Sequence, residues 1–141
     1  MLLNTFTLPQ KLAFLKLVRD ISSADKVVNV GERELIDELC AEMGISLTSS
    51  TKSVKETSLD VLFESFEDRA LVMLELARLS MADRTIGSAE NQAMHSIRRK
   101  LGFSRKDMSD ILRLAEIYVL LRKGISALAE AGRCAQVAHD E

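Results

Sequence analysis

Displaced by 58 positions, the chain aligns with itself, and no other feature constrains its fold as strongly. Ser22 meets Ser80, Ala24 meets Ala82, Asp25 meets Asp83, Glu32 meets Glu90, Gly44 meets Gly102 and Ser46 meets Ser104. Similar residues fill the gaps, with Lys26 on Arg84, Val28 on Ile86, Leu39 on Ile97 and Met43 on Leu101. Each copy reads as a helix ending in Ala-Asp, a short turn with an aliphatic anchor, and a second helix with Glu at its third position, closed by Gly and Ser. A single helical hairpin cannot bury its own apolar face, so two units, about 12–46 and 70–104, are expected to pack around a shared core.

The local signals agree. One Pro and six Gly among 141 residues favour helix, and the alternation of a strand is nowhere sustained. Leu8, Leu12, Leu15, Val18 and Ile21 recur at three- and four-residue steps, predicting a first helix that Pro9 can begin without losing a hydrogen bond and that ends near Asp25. A second helix carries Leu35, Ile36, Leu39, Cys40 and Met43. Asn29 with Glu32 has capping-box spacing before it, and Gly44 follows as a left-handed terminator. Residues 46–58 are rich in Ser, Thr and Lys and read as a connector. An apolar cluster at Leu59, Leu62, Phe63 and Phe66 leads into a helix reaching Ala82, and another helix spans Ser88 to Leu101. Ser104 and Asp107 have the spacing of a cap for a helix through Ile111, Leu112, Leu114, Ala115, Tyr118, Val119 and Leu121, which Gly124 is expected to break or kink before an Ala-rich last helix. The expectation is an all-α fold: one domain over 1–141, a helical bundle of about six to seven helices with an internal two-fold repeat.

Bulk properties exclude several function classes. With 47% hydrophobic and 28% charged residues, the chain has the composition of a folded domain. A net charge of −2 offers no general attraction to nucleic acid. The local cluster Arg98, Arg99 and Lys100, with Arg105 and Lys106, suits the negative end of a helix dipole. The N-terminus lacks a basic region ahead of an apolar stretch, and no apolar run approaches the roughly 20 residues of a bilayer span, so a cytoplasmic setting without membrane insertion is expected. Cys40 and Cys134 form no CxxC pair, and Cys40 reads as a small buried hydrophobe.

The acidic turns are the main candidate for chemistry. Asp25 with Glu32, and Asp83 with Glu90, stand seven residues apart, which brings both carboxylates of a unit to one end of its hairpin. One reading is a hard-cation site, in which carboxylates and backbone carbonyls hold calcium or a similar divalent ion. The other is structural: the aspartates bond turn amides while the glutamates complete caps and meet the helix dipole. An echo of the second half of an EF-hand loop is weak, because positions 21–25 supply one carboxylate.

The doubled pattern ISSADKVVNVGERELIDELCAEMGIS and LSMADRTIGSAENQAMHSIRRKLGFS resembles the TerB family of tellurite-resistance-associated helical proteins, over roughly residues 12–120. The resemblance implies an all-helical fold, a cytoplasmic setting linked to stress response or to membrane-associated and chaperone-like assemblies, and an acidic cluster suspected of binding metal, carried here by Asp25, Glu32, Asp83 and Glu90. Lys26 and Arg84 stand where the family has Gly, and two cations beside the key carboxylates predict that any ion binds weakly.

Elsewhere the chain is quiet. His95 and His139 have no partner at metal-ligand spacing, and there is no GxSxG, P-loop or Cys-His context for a nucleophile, so no enzyme is expected. Met73, Met81, Met94 and Met108 fall on apolar stripes and read as core. Ala127, Ala131, Ala135 and Ala138 would let the final helix approach either its own domain or a second copy in a homodimer.

Overall fold

A computed structural model describes residues 3–24, 30–46, 48, 59–82 and 88–139, with the side chains of 23, 24, 82, 88–90 and 133–139 outside that description. A 3-10 turn at Leu3–Thr5 precedes α1 (Leu8–Ala24), α2 (Val30–Met43), the single turn α3 (Leu59–Leu62), α4 (Phe66–Ala82), α5 (Ser88–Lys100) and α6 (Arg105–His139). The fold is all-α, with no strand among the described residues. All but two residues of the expected connector, Ser46 and Thr48, lie outside them.

Short polar signals start the helices. Thr7 and Gln10 form a reciprocal box at α1: the Gln10 amide donates to Thr7 Oγ1 at 3.4 Å, and the Thr7 amide to Gln10 Oε1 at 2.9 Å. Ser65 Oγ accepts from the Asp68 amide at 3.0 Å at the start of α4. At α6 the Ser104 amide donates to Asp107 Oδ2 at 3.0 Å and the Asp107 amide to Ser104 Oγ at 3.1 Å, the cap expected from their spacing. The Ser104 contacts hold the Asp107 carboxyl below the ordinary range.

The repeat returns in the way α2 and α5 end. Gly44 and Gly102 have φ of 69° and 77°. The Gly44 amide donates to the Ala41 carbonyl at 3.2 Å and the Ile45 amide to Cys40 at 3.1 Å; the Gly102 amide donates to Arg99 and the Phe103 amide to Arg98, both at 3.1 Å. These are two copies of one Schellman closure, in which a left-handed residue satisfies carbonyls the helix leaves open.

The helix pairing has the same symmetry. Within units α1 touches α2 and α4 touches α5; between units α1 packs on α5 and α2 on α4. The first helix of each unit thus lies against the second helix of the other, an arrangement compatible with a two-fold repeat sharing one core. Phe14, Leu15, Val18 and Ile21 from α1, Leu39 from α2, Met73, Leu76 and Leu79 from α4, and Leu101 after α5 are almost wholly buried. Each such side chain contributes about 1.5–3 kcal/mol. Phe63, after α3, closes the N-terminal end against Phe6 with ring centroids 5.4 Å apart. Met73, Met94 and Met108 are buried and Met81 packs at the core's edge.

Two expectations are corrected. Leu8 heads the predicted stripe of α1 but is 60% exposed, because the first turn projects past the core while Phe14 and Leu17 turn inward. Gly124 does not end a helix: α6 runs unbroken for 35 residues, about 52 Å. A helical Gly costs only about 1 kcal/mol relative to Ala, less than the flanking helix formers supply.

Candidate functional site

Of the four acids in the repeated turns, Asp25 and Asp83 lie outside the described residues, and Glu90 lies in the first turn of α5 with its side chain outside them. Glu32 is described. It occupies the third position of α2, is 3% exposed, and accepts a hydrogen bond from Ser22 Oγ at 3.4 Å. A buried carboxylate there meets the positive end of the α2 dipole and links that end to the last turn of α1. The equivalent serine of the second unit, Ser80, instead donates to the Leu76 carbonyl of its own helix at 3.2 Å. Among the described residues no group of three His, Cys, Asp or Glu side chains gathers as metal ligands would.

A buried ion pair lies elsewhere, unmarked by any motif. Arg78 Nη1 donates to Glu75 Oε2 at 2.7 Å, with side chains 7% and 9% exposed. The Arg78 guanidinium lies 4.1 Å from the centre of the Tyr118 ring, so one cation joins a carboxylate on α4 to an aromatic face on α6. Burial pushes the Glu75 carboxyl up, against the opposing pull of Arg78. The only sequence signal is a charged pair three residues apart inside the apolar run of α4.

The basic cluster divides. Arg98 is buried and its Nη1 donates to the Phe103 carbonyl at 2.7 Å, while Arg69 Nη1 reaches the Leu101 carbonyl at 3.4 Å. These two cations reinforce the C-terminus of α5. Arg99, Lys100, Arg105 and Lys106 are exposed. His95 is exposed, the side chain of His139 lies outside the description, and the Cys40 thiol is pushed up in pKa by burial, which makes it a poor nucleophile.

The largest departure from expectation is α6. Its first half packs on α4 through Met108, Ile111 and Ala115. Arg122, bonded to Glu38 of α2, is the last of its residues with a hydrogen bond or ion pair to the bundle among those described. From Leu120 to Gly132 every residue is exposed. Ala127 and Ala131 therefore do not pack on their own domain, the first of the two readings of the Ala-rich segment. Leu114, Ile117, Leu121, Ile125 and Leu128, all 55–74% exposed, follow steps of three and four and form a second apolar stripe. At 100° per residue it lies about a third of a turn from the stripe that faces α4. Ile117, Leu121, Ile125 and Leu128 of this stripe, with Leu120 and Gly124, line a shallow groove.

No described helix is long and apolar enough to cross a membrane. No protein-family model, curated protein or solved structure matches the chain.

Proposed function

We propose that the chain is a non-catalytic, TerB-like helical module that acts in the cytoplasm by binding protein, within a stress response of the tellurite type. The observation that carries the protein-binding part is the second apolar stripe of α6, which together with the neighbouring Leu120 leaves six large aliphatic side chains more than half exposed on one continuous helix. A continuous apolar face of that extent marks a contact surface. The stress-response setting rests on the resemblance of the doubled Ala-Asp motif.

The experiment is affinity capture with the tagged full chain beside a Leu121→Glu, Leu128→Glu variant. Both positions touch no core, so the variant folds. We expect the wild type to retain a protein, another copy or a different chain, that the variant loses. Equal capture by both would refute the assignment of α6.

The acidic turns support a second element, a weakly held divalent cation such as calcium at Asp25, Glu32, Asp83 and Glu90. The alternative is a purely structural or dimerising domain without metal. It is favoured by the hydrogen bond that engages Glu32 with Ser22.

A further inference from the structure

We propose that the occupant of the exposed face of α6 is the same helix of a second copy, paired antiparallel; this deepens the protein-binding reading and rests on it. Leu114, Ile117, Leu121, Gly124, Leu128 and Ala131 follow the alternating three- and four-residue steps of a heptad seam. The positions flanking that seam are Arg113, Tyr118, Leu120, Ile125, Ala127 and Gly132, and Arg113, at its N-terminal end, is the one charge among them. The charges of this stretch, Glu116, Arg122, Lys123 and Glu130, all lie on the remaining face. A partner helix of the same sequence, run antiparallel, therefore meets no like charge along the seam, because Arg113 of each copy falls at the opposite end of the pair.

Shape selects the orientation. When Leu128 of one copy sits opposite Gly124 of the other in an antiparallel pair, Leu121 falls opposite Ala131. A large side chain then meets a small one in both layers, and the symmetry of the pair repeats each contact. A parallel, in-register pair would stack Gly124 on Gly124 and leave that layer empty. Gly124 has no role inside its own chain, since a Cβ built there meets nothing within 4 Å. A mid-helix Gly without an intramolecular reason fits a close approach from outside.

The area is sufficient. Six aliphatic side chains at 55–74% exposure present on the order of 600 Å² per copy. Complete coverage of both faces would bury at most about 1,200 Å², the lower end of the range for specific interfaces. Pairing also accounts for a helical arm exposed around its whole circumference from Leu120 to Gly132, since a segment of that length is marginal alone in water.

Sedimentation equilibrium on the full chain, from micromolar to submillimolar, tests this. The wild type should show a monomer–dimer equilibrium, and Leu121→Glu, Leu128→Glu should weaken it by about a hundredfold or more, because charges face apolar partners, while the thermal transition of the bundle stays unchanged. Orientation is read by oxidising a mixture of Leu121→Cys protein and Ala131→Cys protein, both carrying Cys134→Ser. Antiparallel pairing gives the mixed disulfide, whereas parallel pairing gives the two self-linked dimers and overturns the register. A chain monomeric throughout, or a dimer that survives both glutamates, overturns the second-copy proposal. If that monomeric chain still captures a different protein and the glutamate variant does not, the protein-binding reading stands; if it captures nothing, both fall.

Discussion

Removing Glu75 should damage the bundle more than removing Arg78, although the two are partners. The pair lies between α4 and α6 at 2.7 Å with both side chains at least 91% buried, and Arg78 Nε has no hydrogen-bond partner in addition. Glu75→Met leaves a guanidinium that cannot shed its charge at any accessible pH, and breaking a buried pair in this way costs about 3–5 kcal/mol. For a chain of this size that lowers the melting temperature by roughly 10–15 °C. Arg78→Met leaves a carboxyl that can take up a proton, and burial already pushes it above its ordinary 4.5. Because the folded chain holds that proton more tightly than the unfolded chain, this contribution is full below pH 4.5 and is lost as pH rises through the raised value. Arg78→Met should therefore be mild in acid and severe at neutral pH, with a steeper decline than wild type because the lowering influence of the cation is gone. The double variant Glu75→Met, Arg78→Met removes both charges and should recover most of the loss. Urea denaturation at a series of pH values, read by far-ultraviolet circular dichroism, gives the full cycle. A cost under about 1 kcal/mol for Glu75→Met at pH 7, or a flat pH profile for Arg78→Met, would refute the assignment of a desolvated pair.

Gly44→Ala and Gly102→Ala should each cost about 1–2 kcal/mol, because both residues hold positive φ where a Cβ is strained. The two losses should match, since a Cβ at Gly102 meets Arg69 Nη1 only at an ordinary 3.7 Å and one at Gly44 meets nothing; chemical denaturation of both variants measures this, and a loss at one alone would break the structural equivalence of the repeats. For the acidic turns, chelator-treated chain is unfolded with and without millimolar calcium, magnesium, manganese or zinc. An ion at a hundred times its dissociation constant adds about 2.7 kcal/mol, a shift that Asp25→Asn, Asp83→Asn should abolish. No shift with any ion leaves those acids as turn and cap formers.

Much of the bundle is legible in the sequence because its signals are local and doubled. The C-terminal ends of α2 and α5 follow from Gly44 and Gly102, and the start of α6 from Ser104 and Asp107, each acting through contacts within a few residues. The repeat implies that the two units share one core, but which helices pair, α1 with α5 and α2 with α4, comes from the structure, since a two-fold repeat allows other symmetric pairings. The Thr7 and Gln10 box was equally readable, a Thr followed three residues later by Gln. The Glu75, Arg78 and Tyr118 cluster was not, because its third member comes from a helix 40 residues away.

The second half of α6 shows where such reading stops for a physical reason. Leu114 and Leu121 have the same spacing relation to one another as residues that face the core, and they lie beside Ile111, Ala115 and Tyr118 on the helix surface. Periodicity reports that a face is apolar; it carries no information about what covers it. Two stripes a third of a turn apart merge into one broad apolar helix in the sequence. Only the position of α4 separates the stripe the chain buries from the stripe it leaves exposed. The charges add what periodicity lacks: Glu116, Lys123 and Glu130 lie away from both stripes, so one side of α6 is polar and two are apolar. One of those two is filled by α4, and the other is the face that we propose a second chain covers.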